Sequence, residues 1–456
     1  MSAVVGTKGA QPETAASQAQ VVFAEGPGHR CFAFDGHGHI PLDTFLAEVR
    51  GVAAQLPEAA CAVNLCEDRY RFLVAFCAVA LRGQINLLPP SRTPAAIEDV
   101  RRQYPDSYCI SDVRLSPEPP HLHALPERLP KIDGPRPQVD ADAVAMIGFT
   151  SGSTGTPKPN PKTWRSLRTS TAQNLAALAH LLPQDGGPLA IVATVPPQHM
   201  YGMELSVLLP LLSNAAVHGG RPFFPDDVAR AMRDADAPTL LVTTPVHLRA
   251  LVESGIELPS PVGIVTATAP LPQSLAAAAE QRFGCEVREM FGSTETCVIA
   301  ARRTAREDLW QCLPGVQLQP QPDGTLVQAA HLCAPVALAD LVELRGDGRF
   351  ALCGRQADLL EIAGKRASLG DLTKRLLAVP GVIDGVVLQL DPCEITGVRR
   401  IAALAVAPGL DEAAIVDALR TSIDPLFLPR RLRLVDALPR NDTGKLPRSS
   451  LLELLR

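Results

Sequence analysis

A chain of 456 residues, 46% hydrophobic and 20% charged, is too long for one ordinary core and too apolar for a disordered protein, so at least two domains are expected. Its net charge of -5 offers no basic face, which argues against nucleic acid or an anionic membrane as the main partner. The longest apolar run, Phe72 to Leu81, lies between Arg71 and Arg82 and is too short to span a bilayer.

Residues 1–20 are polar and aperiodic, with no apolar signal segment; a disordered leader and a cytoplasmic location are expected. From Val21 the pattern is α/β. Phe45 to Leu56 reads as a helix, Ala62 to Leu65 as a strand and Tyr70 to Leu81 as a buried helix. Gln84 to Leu88 is the next strand, and Thr93 to Gln103 a helix opened by Ser91 and Thr93. Further on come the strand Leu189 to Val195, the helix Glu204 to Leu212, the strand Thr239 to Thr243, the helix Pro245 to Glu253 and the strand Gly263 to Thr266. This alternation predicts parallel-rich sheets with helices packed on their faces. The texture changes near Gly354. Strands at Val382 to Leu390 and Ile401 to Val406, with helices at Leu369 to Ala378 and Asp411 to Ile423, suggest a small α+β domain. The expected division is a large domain over 21–354 and a small one over 355–456. Eleven cysteines, an odd number with no CxxC pair, give no disulfide or zinc framework; Cys61, Cys66 and Cys77 read as small buried hydrophobes.

The most informative segment runs from Met146 to Lys158. An apolar strand enters a loop of Thr150, Ser151, Gly152, Ser153, Thr154 and Gly155, and the loop ends at Lys158. Glycines let backbone N–H groups approach an anion, and hydroxyls and a lysine add donors and charge: this is a phosphate cradle. Gly-Lys-Ser/Thr is absent, so it is not a Walker loop. A flexible linker of the same composition seldom follows a buried strand directly.

Phe149-Thr-Ser-Gly-Ser-Thr-Gly-Thr-Pro-Lys158 resembles the signature loop of the AMP-forming adenylating superfamily, which includes acyl-CoA synthetases, aryl-acid ligases, peptide-synthetase adenylation domains and luciferases. Further motifs follow in the family's order, so the resemblance covers nearly the whole chain. Val195-Pro-Pro-Gln-His199-Met-Tyr201-Gly202 is similar to the segment lining the family's acyl site, which implies pocket roles for His199, Tyr201 and Gly202. No general base is needed there, because a carboxylate substrate is already ionised at neutral pH. Thr266-Ala-Thr-Ala-Pro-Leu271 resembles a Gly-Gly-Ala-Pro-Leu turn; Ala267 and Thr268 stand where the family has glycine and should narrow the pocket.

Met290-Phe-Gly-Ser-Thr-Glu295 resembles Tyr-Gly-x-Thr-Glu. The resemblance implies that Phe291 faces adenine, that Gly292, Ser293 and Thr294 reach the adenylate phosphate, and that Glu295 is a hard oxygen ligand for ATP-bound Mg²⁺. Asp340 looks like the family's ribose-binding Asp, and Asp347-Gly348 is a hairpin turn signal. Arg355, in Cys353-Gly-Arg355-Gln-Ala-Asp358, resembles the ribose- or phosphate-contacting Arg at the domain junction, where Ala357 occupies the pivot position. Gly364 to Asp371 is similar to the loop and helix that follow. Leu438-Pro-Arg-Asn-Asp-Thr-Gly444-Lys445-Leu-Pro-Arg448 resembles the lid motif, in which Lys445 would be the lysine that stabilises charge on the α-phosphate.

The resemblance implies a two-step reaction, with Thr150, Glu295 and Lys445 as the catalytic set. ATP, with Mg²⁺, and a carboxylic acid give acyl-AMP; the small domain then rotates and a phosphopantetheine thiol attacks. Leu65-Cys-Glu-Asp-Arg-Tyr-Arg71, the His199 segment and Leu313-Pro-Gly-Val316 resemble the ligases of bacterial aryl-polyene and xanthomonadin pigment clusters. That implies a hydroxyaryl acid, such as a hydroxybenzoate, loaded onto an acyl carrier protein. An acyl- or aryl-CoA synthetase using free CoA is the alternative, and a catalytically silent adenylate-binding relative is a third reading. An amino-acid substrate is disfavoured because Glu204 is the only carboxylate near the His199 segment that could hold an amino group. For a carrier protein, Lys365, Arg366, Lys374 and Arg375 are the candidate docking residues.

Overall fold

The computed structural model describes residues 19–150, 157–355, 358–362, 365–390, 400–441 and 444–456. The leader up to residue 18 lies outside them, and Gln20, its last assigned residue, already pairs with Asp140. The helix Arg69–Leu81, capped by the Asp68 carboxylate accepting from the Arg71 N–H, has no polar face. Phe72 to Val79 are fully buried because the helix lies between two sheets. Burying Phe72, Leu73, Val74, Phe76 and Val79 contributes roughly 1.5–3 kcal/mol each before entropy. The apolar run that is too short for a membrane is therefore the centre of the core.

Among the described residues the larger sheet has 11 strands. Its parallel part places Val287–Ser293, Gly263–Thr266, Thr239–Thr243, Leu189–Ala193, Ala215–His218 and Cys31–Asp35 side by side. A second sheet of six strands contains Ile85–Leu88 and Cys61–Asn64 and ends in Val144–Thr150 and Lys158–Thr163. The alternation read from the sequence is thus present as an α/β architecture. Strand Lys158–Thr163, absent from the sequence reading, sits at the sheet's edge, where Pro159 and Pro161 cost few ladder hydrogen bonds.

The helix expected over Glu204 to Leu212 begins earlier, at Met200, and changes character on the way. Met200–Met203 is α, Glu204–Leu208 is a π segment and Leu209–Leu211 is α again. Pro210 lacks an N–H, so the regular i→i−4 ladder is interrupted at that point and the wider turn accommodates it. The small C-terminal domain has a separate core, with Leu372, Leu376, Val387, Ala403, Ile415, Leu419 and Phe427 buried together. Its sheet joins Asp384–Gln389, Ile401–Val406 and Arg431–Leu434. No helix among the described residues is long and apolar enough to cross a membrane. The described cysteines are free thiols, with Cys61, Cys66 and Cys77 buried.

Candidate functional site

The parallel strands of the large sheet reverse their order beside Leu189–Ala193: the next strand in sequence, Ala215–His218, lies on one side and Thr239–Thr243 on the other. A crevice at the carboxyl ends of such strands is where open α/β sheets bind ligands. Its floor is a hydroxyl chain, with Thr194 Oγ1 3.0 Å from Thr243 Oγ1 and 2.9 Å from His247 Nδ1. The fully buried Arg69 fixes one wall, donating to the Ala193 and Val195 carbonyls and to Ser206 Oγ.

His199 follows that wall directly. Burial, then the charge of Lys445, push its imidazole down to about 3, so it is neutral at physiological pH. Gly202 is compulsory where it stands, because a β-carbon would come 2.1 Å from the Pro196 carbonyl oxygen. Tyr201 is buried beside it. At the end of the adjacent strand Ala267 is buried and Thr268 is held at φ +80°, a left-handed conformation that a threonine rarely adopts. The turn carrying both is anchored by buried Glu289, which accepts from the Leu271 N–H at 2.9 Å and from Arg302 and Thr304. Four buried polar atoms in this region have no hydrogen-bond partner: Gln198 Oε1, His199 Nδ1, Thr266 Oγ1 and Thr268 Oγ1.

Thr150 and Lys158, which flank the loop expected to be a phosphate cradle, pair antiparallel, and Lys158 is exposed. Ser151, Gly152, Ser153, Thr154 and Gly155 lie outside the described residues. Thr150 Oγ1 donates to Glu295 Oε1 at 3.2 Å, joining the cradle to the second motif. Glu295 sits at the tip of the hairpin between Val287–Ser293 and Cys297–Arg302. A β-carbon at Gly292 would meet the Cys297 carbonyl oxygen at 2.1 Å, so only glycine allows this turn. Ser293 and Thr296 close it through paired hydrogen bonds of 3.1 Å, with Thr294 between them near Gly148. Phe291 is half-buried and packs against Trp310, with centroids 5.4 Å apart, and against Phe350.

No group of three or more metal-binding side chains occurs among the described residues. One hard carboxylate beside a hydroxyl is instead a donor set that suits a divalent cation arriving on ATP phosphates. Asp340 and Arg355 face each other across a strand pair, with Arg355 Nε donating to Asp340 Oδ1 at 3.2 Å. Ala357, Gly364, Asp442 and Thr443 lie outside the described residues.

Lys445 comes from the small domain and closes the site. Its loop is tied by Asn441, whose side chain accepts from the Lys445 N–H at 2.9 Å and whose N–H donates to the Lys445 carbonyl. Arg440 pairs with Asp384 and donates to the Gly444 carbonyl. A β-carbon at Gly444 would stand 3.5 Å from Val246 Cγ2 and 3.7 Å from Thr268 Oγ1, so this loop rests on the crevice. Partial dehydration and then the Arg355 charge lower the Lys445 ammonium below the ordinary lysine range, while Glu295 opposes them. Lys445, Glu295, Arg355 and His199 thus share one electrostatic neighbourhood.

Several residues of this region are missing from the sequence reading, namely Lys162, Thr194, Thr243, His247, Glu289 and His331, and Arg69 entered it only as part of the Leu65–Arg71 segment, with no role. A charged residue inside an apolar segment was the available signal, because burial demands a partner. Glu204, the one carboxylate considered for an amino group, is fully buried. It accepts from Ser170 Oγ at 2.6 Å, Asn174 Nδ2 at 3.0 Å and the Val298 N–H, so its oxygens are committed within the protein.

Residues 51–326 match the model of the AMP-binding enzyme family. The chain is 32% identical over 314 residues to 4-coumarate–CoA ligase of Rhodobacter capsulatus, covering 67% of this chain and 75% of that one. It is 27% identical over 384 residues to sulfoacetate–CoA ligase of Cupriavidus necator, covering 75% and 73%. Its fold is similar to that of o-succinylbenzoate CoA synthetase from Bacillus subtilis in complex with an acyl-adenylate intermediate, with a TM-score of 0.79, 17% identity and coverage of 93% and 95%. The chain belongs to the AMP-binding enzyme family and is an AMP-forming acid–thiol ligase.

Proposed function

We propose that this ligase activates a hydroxyaryl acid, such as a hydroxybenzoate, and passes it to the phosphopantetheine thiol of an acyl carrier protein, as the pigment-cluster ligases it resembles do. The observation that carries the choice of acid is the set of unpartnered buried polar atoms at Thr266, Thr268 and His199. Each such atom costs about 1–3 kcal/mol while unsatisfied, and a substrate hydroxyl could satisfy one or more of them. A site of this kind rejects an analogue that lacks the hydroxyl. A relative named for 4-coumarate, itself a hydroxyaryl acid, supports the same class.

In the first step the acid's carboxylate oxygen attacks the α-phosphorus of ATP and pyrophosphate leaves. Lys445 stabilises the charge that builds on the α-phosphate oxygens. Thr150, Lys158 and the loop between them hold the β- and γ-phosphates, Asp340 and Arg355 the ribose, and Phe291 the adenine. Magnesium, held by Glu295 together with ATP phosphates, would neutralise the leaving pyrophosphate. His199 stays neutral and adds no positive charge beside Lys445. In the second step the small domain, residues 355–456, turns away with Lys445. The thiol sulfur then attacks the acyl carbon, the acyl–phosphate bond breaks, and AMP departs.

The relatives named as CoA ligases favour free CoA as the acceptor, which is the second reading. Carrier docking would fall to Lys374, which is exposed, and to Lys365 and Arg366, whose side chains lie outside those described. Arg375 contributes less than its sequence suggested, being paired with Asp371 at 2.8 Å and bonded to the Ser422 carbonyl. Thioester formation from 4-hydroxybenzoate on a purified holo carrier protein and on CoA separates the two. Saturable transfer to the carrier that weakens with salt is expected; faster, saturating transfer to CoA would overturn the carrier assignment. Equal use of benzoate and 4-hydroxybenzoate would overturn the hydroxyaryl assignment.

A further inference from the structure

Behind the Glu295 turn the backbone is held by three buried side chains that none of the motifs includes. Lys162, from the strand Lys158–Thr163, donates from Nζ to the Glu295 carbonyl at 2.5 Å. His331 Nε2–H donates to the Thr296 carbonyl at 2.7 Å, while its Nδ1 is buried and unpartnered. Glu204, in the π segment of the helix that His199 begins, accepts from the Val298 N–H at 3.0 Å. Lys162, Glu204 and His331 are 6%, 1% and 2% exposed, so each was dehydrated to make these bonds.

The turn they grip is strained. Cys297 sits at φ +60°, a conformation unfavourable for any side chain, and persists only if its surroundings over-determine it. Lys162 and Glu204 both lie within electrostatic reach of Cys297 and of each other. Three separate chain segments thus fix the backbone at residues 295, 296 and 298, around the one carboxylate that Thr150 shares with the cradle.

We infer that Lys162, Glu204 and His331 are positioning residues that set the Glu295 carboxylate for the cation carried by ATP, with Lys162 tying the strand Lys158–Thr163 to the Glu295 turn. This rests on the reading of Glu295 as the cation ligand. Outer-shell partners of this kind typically change metal affinity by about 10–100-fold when removed.

The test measures Mn²⁺ binding by electron paramagnetic resonance on enzyme with α,β-methylene-ATP, alongside the Mg²⁺ half-saturation of ATP–pyrophosphate exchange. Lys162→Met is expected to weaken Mn²⁺ about tenfold and raise the Mg²⁺ requirement to match. The KM for the acid should stay within about twofold, since the brace does not touch the acid. Lys162→Arg should recover most of the affinity. Glu295→Gln should show the larger loss, and adding Lys162→Met to it should change little, because both act through one carboxylate. Should Lys162→Met fail to fold, His331→Gln tests the same turn from its other side, with a smaller shift in the same direction. Unchanged Mn²⁺ affinity in a folded Lys162→Met or His331→Gln, with only a lower melting temperature, would overturn the inference and leave the brace a stability element. If Glu295→Gln itself leaves Mn²⁺ affinity unchanged, the reading of Glu295 fails first and the inference falls with it.

Discussion

His199 shows what a motif position becomes once it is folded. The sequence places it in the pocket, and its neutral state follows from burial and from Lys445, a residue about 250 positions away in a chain of 456. Its folded value of about 3 lies below the ordinary histidine value of 6.5. The neutral form is therefore favoured by folding, and that contribution is complete above about pH 6.5 and fades as pH falls toward 3. Urea unfolding should lose about 2 kcal/mol more between pH 7 and pH 5 in the wild type than in His199→Gln. Equal losses would mean that His199 is not held neutral. Thr150, Glu295 and Lys445 stand in contiguous motifs whose local spacing made them candidates in the sequence, and the fold brings Thr150 onto Glu295. Lys162 was not a candidate, because Pro-Asn-Pro-Lys reads as the polar tail of the cradle, and only the tertiary fold shows that it turns inward to the Glu295 carbonyl.

Strands and helices of the parallel region were legible nearly to their ends, since apolar runs of four to six residues between turn signals leave few alternatives. Thr239–Thr243, Pro245–Glu253 and Gly263–Thr266 fall where the pattern puts them. The edge strand Lys158–Thr163 was hidden by its two prolines, and the π segment Glu204–Leu208 by an apolar pattern that fits any helix. What positions the turns at the strand ends is a set of buried polar anchors that periodicity does not reveal. Glu289 is the clearest: it holds the Leu271 N–H and, with Arg302, forms a pair at 2.7 Å whose side chains are 4% and 13% exposed. Glu289→Ala would leave the guanidinium dehydrated and free the turn carrying Thr268. The urea transition of the large domain should lose about 3–5 kcal/mol. A loss under about 1 kcal/mol would show that Arg302, stacked 4.4 Å over Trp310, is satisfied without it.

The whole molecule is a large body built mainly on an 11-stranded and a six-stranded sheet, with its crevice covered by a loop from a domain that has a separate core. The change of texture near Gly354 made the second domain legible, but nothing local could tell how it sits. The electrostatics of the site depend on that placement: with the Gly444 loop against Val246 and Thr268, the Lys445 charge acts on His199, and Glu295 and Arg355 act on Lys445. On the proposed mechanism the closed arrangement serves adenylation, and thiol attack would need it to open. The most direct measurement is ATP–pyrophosphate exchange over a panel of aryl acids, run with the wild type and Lys445→Ala and paired with thioester formation from supplied acyl-AMP. The account predicts acid-dependent exchange by the wild type and a fall of about 10²–10³-fold in Lys445→Ala, with thioester formation from acyl-AMP retained. Exchange that survives the substitution, or an equal loss in both half-reactions, would contradict it.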